Sequence, residues 1–386
     1  MAHASVCFDP LQGTTMPSCL RDGSGWWDAK AAACPAVVRL TDGSWRMYYY
    51  GRGGDFWGQG VKAMMAPPMG WVGVAESTDG VTWRKVQGPL PNFAVLGPQE
   101  DPAAFDSVVV GSSDVLIRPG GEHWLYYFGG GLEKTPIGSG VGAVLGATAG
   151  AHWGRGAETL VKGMMKMMPG EFTGLNWQVG LATSPDGLTF RRRPQPILPT
   201  GVPGEWDALY VGWPKVVPPQ EGTDDTWLMT YHSLNPKGIF WAAAATSEDG
   251  VTWQKRGQVL GPGGKGTWDE LGVGVRHVIR IDGRLAMFYE AVDRNQVHAI
   301  GLAWSDDGLT WEKDRQCGPD PGGPILRPRT GEDAWDSKNV GTPHVVALDD
   351  GSYRLYYVGV SDRIQFAIGM AVSEGTNFRK WRRYGE

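Results

Sequence analysis

Apolar and polar residues alternate along this chain in short runs that stop at turn residues, and the runs come in sets of four. In the stretch 268–311 a set opens on Trp268-Asp269. An apolar run through Val278 and Ile279 meets a turn at Asp282-Gly283, and a second run, Leu285-Ala-Met-Phe-Tyr289, ends at Glu290. A third run from Ala299 to Trp304 reaches the tight turn Ser305-Asp-Asp-Gly308, and a fourth carries Thr310-Trp311. Alternation with a period of two, bounded by Gly, Asp and Ser, predicts strands, and four in succession predict an antiparallel meander. No stretch predicts a helix of any length.

The set recurs along the whole chain. Its openings are Trp27-Asp28, Phe105-Asp106, Trp206-Asp207, Trp268-Asp269 and Trp335-Asp336. The second strands carry Met47-Tyr-Tyr49, Leu125-Tyr-Tyr127, Met229-Thr-Tyr231, Met287-Phe-Tyr289 and Leu355-Tyr-Tyr357. The closing turns are Ser77-Thr-Asp-Gly80, Ser184-Pro-Asp-Gly187, Ser247-Glu-Asp-Gly250, Ser305-Asp-Asp-Gly308 and a shortened Ser373-Glu-Gly375. Five such units predict an all-β chain, a five-bladed β-propeller with four-stranded antiparallel blades, folded as a single domain over 1–386. Residues 1–25 are expected to run along the ring edge or close it against the last blade.

Residues that every copy repeats serve the repeat. The opening aspartates are therefore expected to hold turns or tie blades, and Trp83, Phe190, Trp253, Trp311 and Phe378 to wedge the blades apart. Positions that differ between copies are free for chemistry. The position eight after each opening Asp is Ala36, Asp114, Lys215, His277 and His344, and the one before it is Pro35, Ser113, Pro214, Arg276 and Pro343. The end of the second strand reads Tyr50, Phe128, His232, Glu290 and Val358.

These positions are expected to face the channel, with Asp114, Glu290 and His277 in acid–base roles and Lys215, His232, Arg276 and His344 fixing an anionic or sugar ligand. The competing reading is a buried polar network satisfied by itself and by ordered water. Trp213 breaks the aromatic repeat, as do Trp26, Trp57 and Trp153, and is a candidate sugar platform. A metal held by Asp114, His277 and His344 is the weaker reading, because the sequence shows no ligand spacing, and no metal or cofactor is assigned.

Two blades are too long. Insertions at 52–70 and 129–176 separate their second and third strands and rise on the face where the channel candidates lie. They contain Lys62-Ala-Met-Met65 and Gly163-Met-Met-Lys-Met-Met168, and methionine suits adaptable apolar surfaces. A lid over a ligand is expected, with Arg52 at its root as a binding candidate; a structural cap or an oligomer contact is the alternative.

Composition narrows the partners. A net charge of -5 without a basic stripe argues against nucleic acid. The short basic runs 191–193 and 379–383 read as solvated faces. Cys7, Cys19, Cys34 and Cys317 have neither metal nor disulfide-framework spacing. No apolar run is long enough to span a membrane, and no signal peptide is seen, so a cytoplasmic or organelle-soluble protein is expected.

The Ser-x-Asp-Gly-x-Thr-Trp turn, the aromatic-Asp opening, the Pro-x-Val-Val strand and the Tyr-Tyr strand together resemble the five-bladed superfamily of arabinanases, levansucrases, invertases and mannoside phosphorylases. For its furanosidases the resemblance implies three acids: an Asp before Pro in blade 1, an Asp in blade 2 and a Glu before Pro in blade 3. Here the first slot holds Cys34 and the third Trp213, and only Asp114 matches. Val211-Gly-Trp-Pro-Lys-Val-Val217, Tyr231-His232 and Val340-Gly-Thr-Pro-His-Val-Val346 resemble the phosphorylase branch, which implies fewer carboxylates and cationic side chains for phosphate. The expectation is a glycosidase or glycoside phosphorylase with an atypical acid layout. The alternative is a propeller that has lost this chemistry and binds or transforms a more apolar small molecule under the Met-rich lid.

Overall fold

The computed structural model describes residues 28, 31–52, 70–90, 92–136, 171–220, 222, 225–234, 239–317, 322–331, 334–362 and 366–385. The interiors of both predicted insertions, the residues before 28, and Trp57 and Trp153 lie outside the described residues.

Among the described residues the chain is all-β, with no helix, and so none long and apolar enough to cross a membrane. The first meander is β1 (Ala31–Arg39), β2 (Trp45–Arg52), β3 (Trp71–Ser77) and β4 (Arg84–Val86). The second is β5 (Val109–Ile117), β6 (His123–Gly130), β9 (Trp177–Ser184) and β10 (Arg191–Arg192), interrupted by a ribbon of β7 (Lys134–Pro136) and β8 (Glu171–Thr173). The third is β11 (Gly212–Val217), β12 (Trp227–Leu234), β13 (Phe240–Ser247) and β14 (Gln254–Leu260). The fourth is β15 (Gly272–Ile281), β16 (Arg284–Val292), β17 (His298–Ser305) and β18 (Glu312–Lys313). The fifth is β19 (Asn339–Ala347), β20 (Tyr353–Val360), β21 (Phe366–Glu374) and β22 (Asn377–Arg383). A single parallel bridge, Phe240 to Gly272, joins the third and fourth into one sheet.

The first strands β1, β5, β11, β15 and β19 lie side by side in that order, and β19 returns to β1. Being covered on both sides, they read as near-continuous buried runs: β5 is buried from Val109 to Val115, whereas outer β14 alternates exposed and half-buried positions.

The repeated residues hold the meanders together, as expected. Asp28, Asp106 and Asp336 each accept the hydroxyl of the second Tyr of their own second strand, Tyr49, Tyr127 and Tyr357, at 2.9–3.0 Å. Each opening aspartate also meets a cation from its outermost strand: Lys85 at 2.6 Å, Arg192 at 2.8 Å, Lys255 at 2.7 Å, Lys313 at 2.5 Å and Arg383 at 2.7 Å. Arg192 and Arg383 thus correct the reading of their runs as solvated faces. Their side chains reach inward, because the opening aspartates are fully buried and a buried carboxylate needs a partner.

The other Tyr of each pair points the opposite way, as strand alternation requires. Tyr48, Tyr126 and Tyr356 donate to the closing-turn carbonyls of the next meander, Gly187, Gly250 and Gly80, at 2.7–3.0 Å. The wedges Phe190, Trp253 and Trp83 meet the same tyrosines edge-on. Where Thr230 replaces that Tyr its hydroxyl is buried without a partner among the described residues.

Candidate functional site

Every first strand carries a bulge at the same place. The register slips between Ala33 and Ala36, Ser112 and Asp114, Gly212 and Lys215, Val273 and Arg276, and Gly341 and His344. A bulge re-aims side chains, and here it turns position eight toward the axis. In three copies the bulged residue before Pro takes a left-handed backbone: Cys34 (φ 52°), Trp213 (φ 50°) and Thr342 (φ 45°). Non-glycine residues held there cost free energy of order 1–3 kcal/mol each and cluster at functional sites.

In three of the five copies position eight stitches its meander to the next. Asp114 Oδ2 accepts the Val216 N–H at 2.8 Å, His277 Nδ1 accepts Val345 N–H at 3.1 Å, and His344 Nε2 lies 3.0 Å from the Val37 nitrogen and 2.9 Å from its carbonyl oxygen. Lys215, a donor, cannot accept from the next meander and instead donates back to the Ser113 carbonyl. Ala36 has no polar group, and Val115 N–H turns to Asp114 Oδ1 at 3.1 Å.

Asp114, Lys215, His277 and His344 therefore do converge, all buried, with the two imidazole centroids 3.9 Å apart. Burial pushes Asp114 up and Lys215 down, and it drives His277 well below its ordinary value and His344 down to about 3. One ligand atom from each of Asp114, His277 and His344 lies within 4.8 Å of the others, as a metal would need. Each already accepts or faces backbone, however, and Lys215 lies beside all three.

One layer nearer the face of the second-to-third-strand connections, the two residues in the acid slots touch each other. Trp213 Nε1 donates to Cys34 Sγ at 3.3 Å, and burial pushes the Cys34 thiol up to about 11. The indole stacks on His232, centroids 4.6 Å apart and planes at 12°, and packs against Phe128 at 4.5 Å and Trp177 at 5.0 Å. Fully buried Arg276 locks this assembly, donating to the Trp213 carbonyl and meeting His232 Nδ1 at 3.2 Å. Burial lowers Arg276 to about 9 and His232 well below its ordinary value. Arg52 ends β2, and its side chain lies outside the described residues.

Glu290 is the carboxylate of this layer that stays partly open, its side chain 14% exposed. Its Oε2 accepts Thr342 N–H at 2.8 Å, and Oε1 lies 2.5 Å from Nδ1 of His298, which the repeat argument overlooked. The signal was present. The first residue of the third strand is Trp71, Trp177, Phe240 and Phe366 in the other copies, and only the fourth puts a titratable ring there.

No protein-family model and no curated protein matches the chain. Solved structures do. A thermostable family-43 glycoside hydrolase aligns over 94% of this chain and 97% of its own at TM-score 0.61 and 14% identity. A member of the GH130 family of mannoside phosphorylases, described with glycoside hydrolases that target β-1,2 mannosidic linkages in Candida mannan, aligns over 93% and 88% at TM-score 0.59 and 17% identity. The β-1,2-mannobiose phosphorylase of Listeria innocua aligns over 88% and 89% at TM-score 0.58 and 12% identity. The chain has the fold of the propeller-type glycosidases. Elsewhere on this propeller, a groove of about 980 Å³ runs along the outer edge of the fourth meander beside Trp241, Trp304 and Trp311. It lies away from every candidate above.

Proposed function

We propose that this protein is a carbohydrate-active enzyme, a glycoside hydrolase or glycoside phosphorylase with an unusual acid layout, working at one mouth of a single five-bladed propeller. Support for the blade count comes from the five meanders whose first strands follow one another back to the start. The observation that carries the activity is a partly exposed carboxylate, Glu290, held by His298 and the Thr342 N–H one layer above the buried Asp114 and Lys215 on a glycosidase fold. Glycosyl transfer needs a group that moves a proton at the glycosidic oxygen and a field that stabilises charge at the ring.

In this reading Glu290 marks where protons move. Asp114 and His277 lie one layer deeper and tune the field, with Lys215 and His344 beside them. Trp213, backed by His232 and Arg276, is the platform for a sugar ring, with the 129–176 insertion as a lid and Arg52 at the root of the other. Cys34 and Trp213 bond to each other, so the two slots that hold acids in the furanosidases supply none here. β-Mannosides head the substrate classes to try, since two of the similar structures concern β-1,2 mannosidic linkages.

The test is a panel of aryl furanosides, aryl mannosides and β-1,2-mannobiose, each with and without inorganic phosphate. Glu290→Gln should lower turnover by about two to four orders of magnitude with the fold intact. Absence of turnover across the panel in the wild-type protein would reject the enzyme reading.

A further inference from the structure

Resting on that reading, we infer that the atom which moves the proton is Nε2 of His298, and that Glu290 is its positioning carboxylate. Both oxygens of Glu290 are engaged, Oε1 by the imidazole at 2.5 Å and Oε2 by the Thr342 N–H at 2.8 Å. A carboxylate held this way is poor at presenting a free oxygen to a substrate and well placed to orient a ring. Its hold on Nδ1 leaves Nε2 as the nitrogen that can gain or lose a proton, the arrangement in which a carboxylate fixes tautomer and direction for a working imidazole. Among the described residues nothing else bonds the His298 ring, and its side chain is 18% exposed.

The backbone around the pair is built for it. His298 N–H donates to Asn339 Oδ1 at 2.9 Å, which ties the start of β17 to the start of β19. Thr342 holds its N–H on Glu290 from a left-handed backbone (φ 45°). Gly341 leaves room for the carboxylate, since a Cβ there would lie 2.4 Å from Glu290 Cδ. Strands β16, β17 and β19 thus converge on one carboxylate–imidazole pair at the mouth, next to the layer of Trp213 and Cys34.

In the step, the glycosidic C–O bond breaks with its electron pair moving to the leaving oxygen, which takes the Nε2 proton. The attacking water or hydrogen phosphate forms the new bond to the anomeric carbon and releases its own proton to solvent, from which the imidazole is recharged. Glu290 balances the charge on the ring while it is protonated.

The experiment compares wild type, His298→Asn and His298→Gln on two aryl glycosides of the sugar the panel identifies: one with a dinitrophenyl leaving group, which departs without a proton, and one with an unsubstituted phenyl group, which needs one. Asn keeps a donor where Nδ1 stands, so the Glu290 contact survives, while neither amide transfers protons at neutral pH. Both variants should lose about 10²–10⁴-fold in kcat on the phenyl glycoside and less than about tenfold on the dinitrophenyl one, with unchanged thermal unfolding. Equal losses on both substrates, or no loss on either, would overturn the role of His298 and leave the glycosidase reading standing. A wild-type protein inert on every glycoside would overturn that reading and this inference with it.

Discussion

Replacing Gly341 with alanine isolates the Glu290 contact network without touching any polar group. The backbone at 341 lies outside the left-handed region, so alanine adds no backbone strain. The new methyl would stand 2.4 Å from Glu290 Cδ and Oε2 and 2.8 Å from Oε1. A carboxylate at the end of a flexible side chain can swing away, but only by giving up the Thr342 N–H and the His298 ring. A hydrogen bond to a charged group contributes about 1.5–3 kcal/mol, and water at this partly open mouth recovers some of it. Alanine returns about 0.5–1 kcal/mol through reduced freedom of the unfolded chain. The net expectation is destabilisation by about 1–2 kcal/mol. In a Glu290→Ala background the obstacle is gone and the sign should reverse, with Gly341→Ala stabilising by about 0.5–1 kcal/mol. Urea unfolding of the four proteins in a double-mutant cycle measures the coupling, expected to be about 2 kcal/mol. Equal effects of Gly341→Ala in both backgrounds would refute the argument.

Acid should weaken the ring through His344. The unfolded imidazole takes a proton below about pH 6.5, whereas the folded one stays neutral down to about 3, so the unfolded state binds more protons in that window and stability falls as pH drops through it. At pH 4.5 this amounts to about 3 kcal/mol from His344 alone; urea midpoints against pH should show a shallower slope in His344→Gln. Asp336, fully buried between Arg329, Arg383 and Tyr357, should cost about 3 kcal/mol on replacement by Ala, because two arginines then face a void; calorimetry checks this, and a change below 1 kcal/mol would rule out the tie. Excising 137–170 and closing Pro136 onto Glu171, its partner in the ribbon, through a two-residue turn should leave the melting temperature nearly unchanged and abolish turnover. Full activity in the excised protein would show that the segment is no lid.

The sequence by itself determined the meander, its repetition, and the structural role of whatever every copy repeats. Strand alternation and turn chemistry are local, so Tyr49 facing Asp28 and Tyr48 facing away from it follow from a period of two. Comparing copies also marked Asp114, Lys215, Arg276, His277 and His344 as the odd residues; Asp114, Lys215, His277 and His344 lie together, while Arg276 packs one layer away against Trp213 and His232. Three things were decided only in the tertiary structure. At position eight Asp114, His277 and His344 spend their polar atoms on the next meander's backbone and Lys215 on the preceding one, because the bulge before them re-aims each side chain toward a neighbour that the repeat does not specify. The Cys34–Trp213 contact joins residues 179 apart in sequence, and the match depends on how far one meander turns relative to another. Glu290 finds His298 across a hairpin and Thr342 across a meander boundary. A repeat constrains what each unit does within itself, while contacts between units depend on their relative rotation and on where a bulge inserts its extra residue, and neither is written in the period.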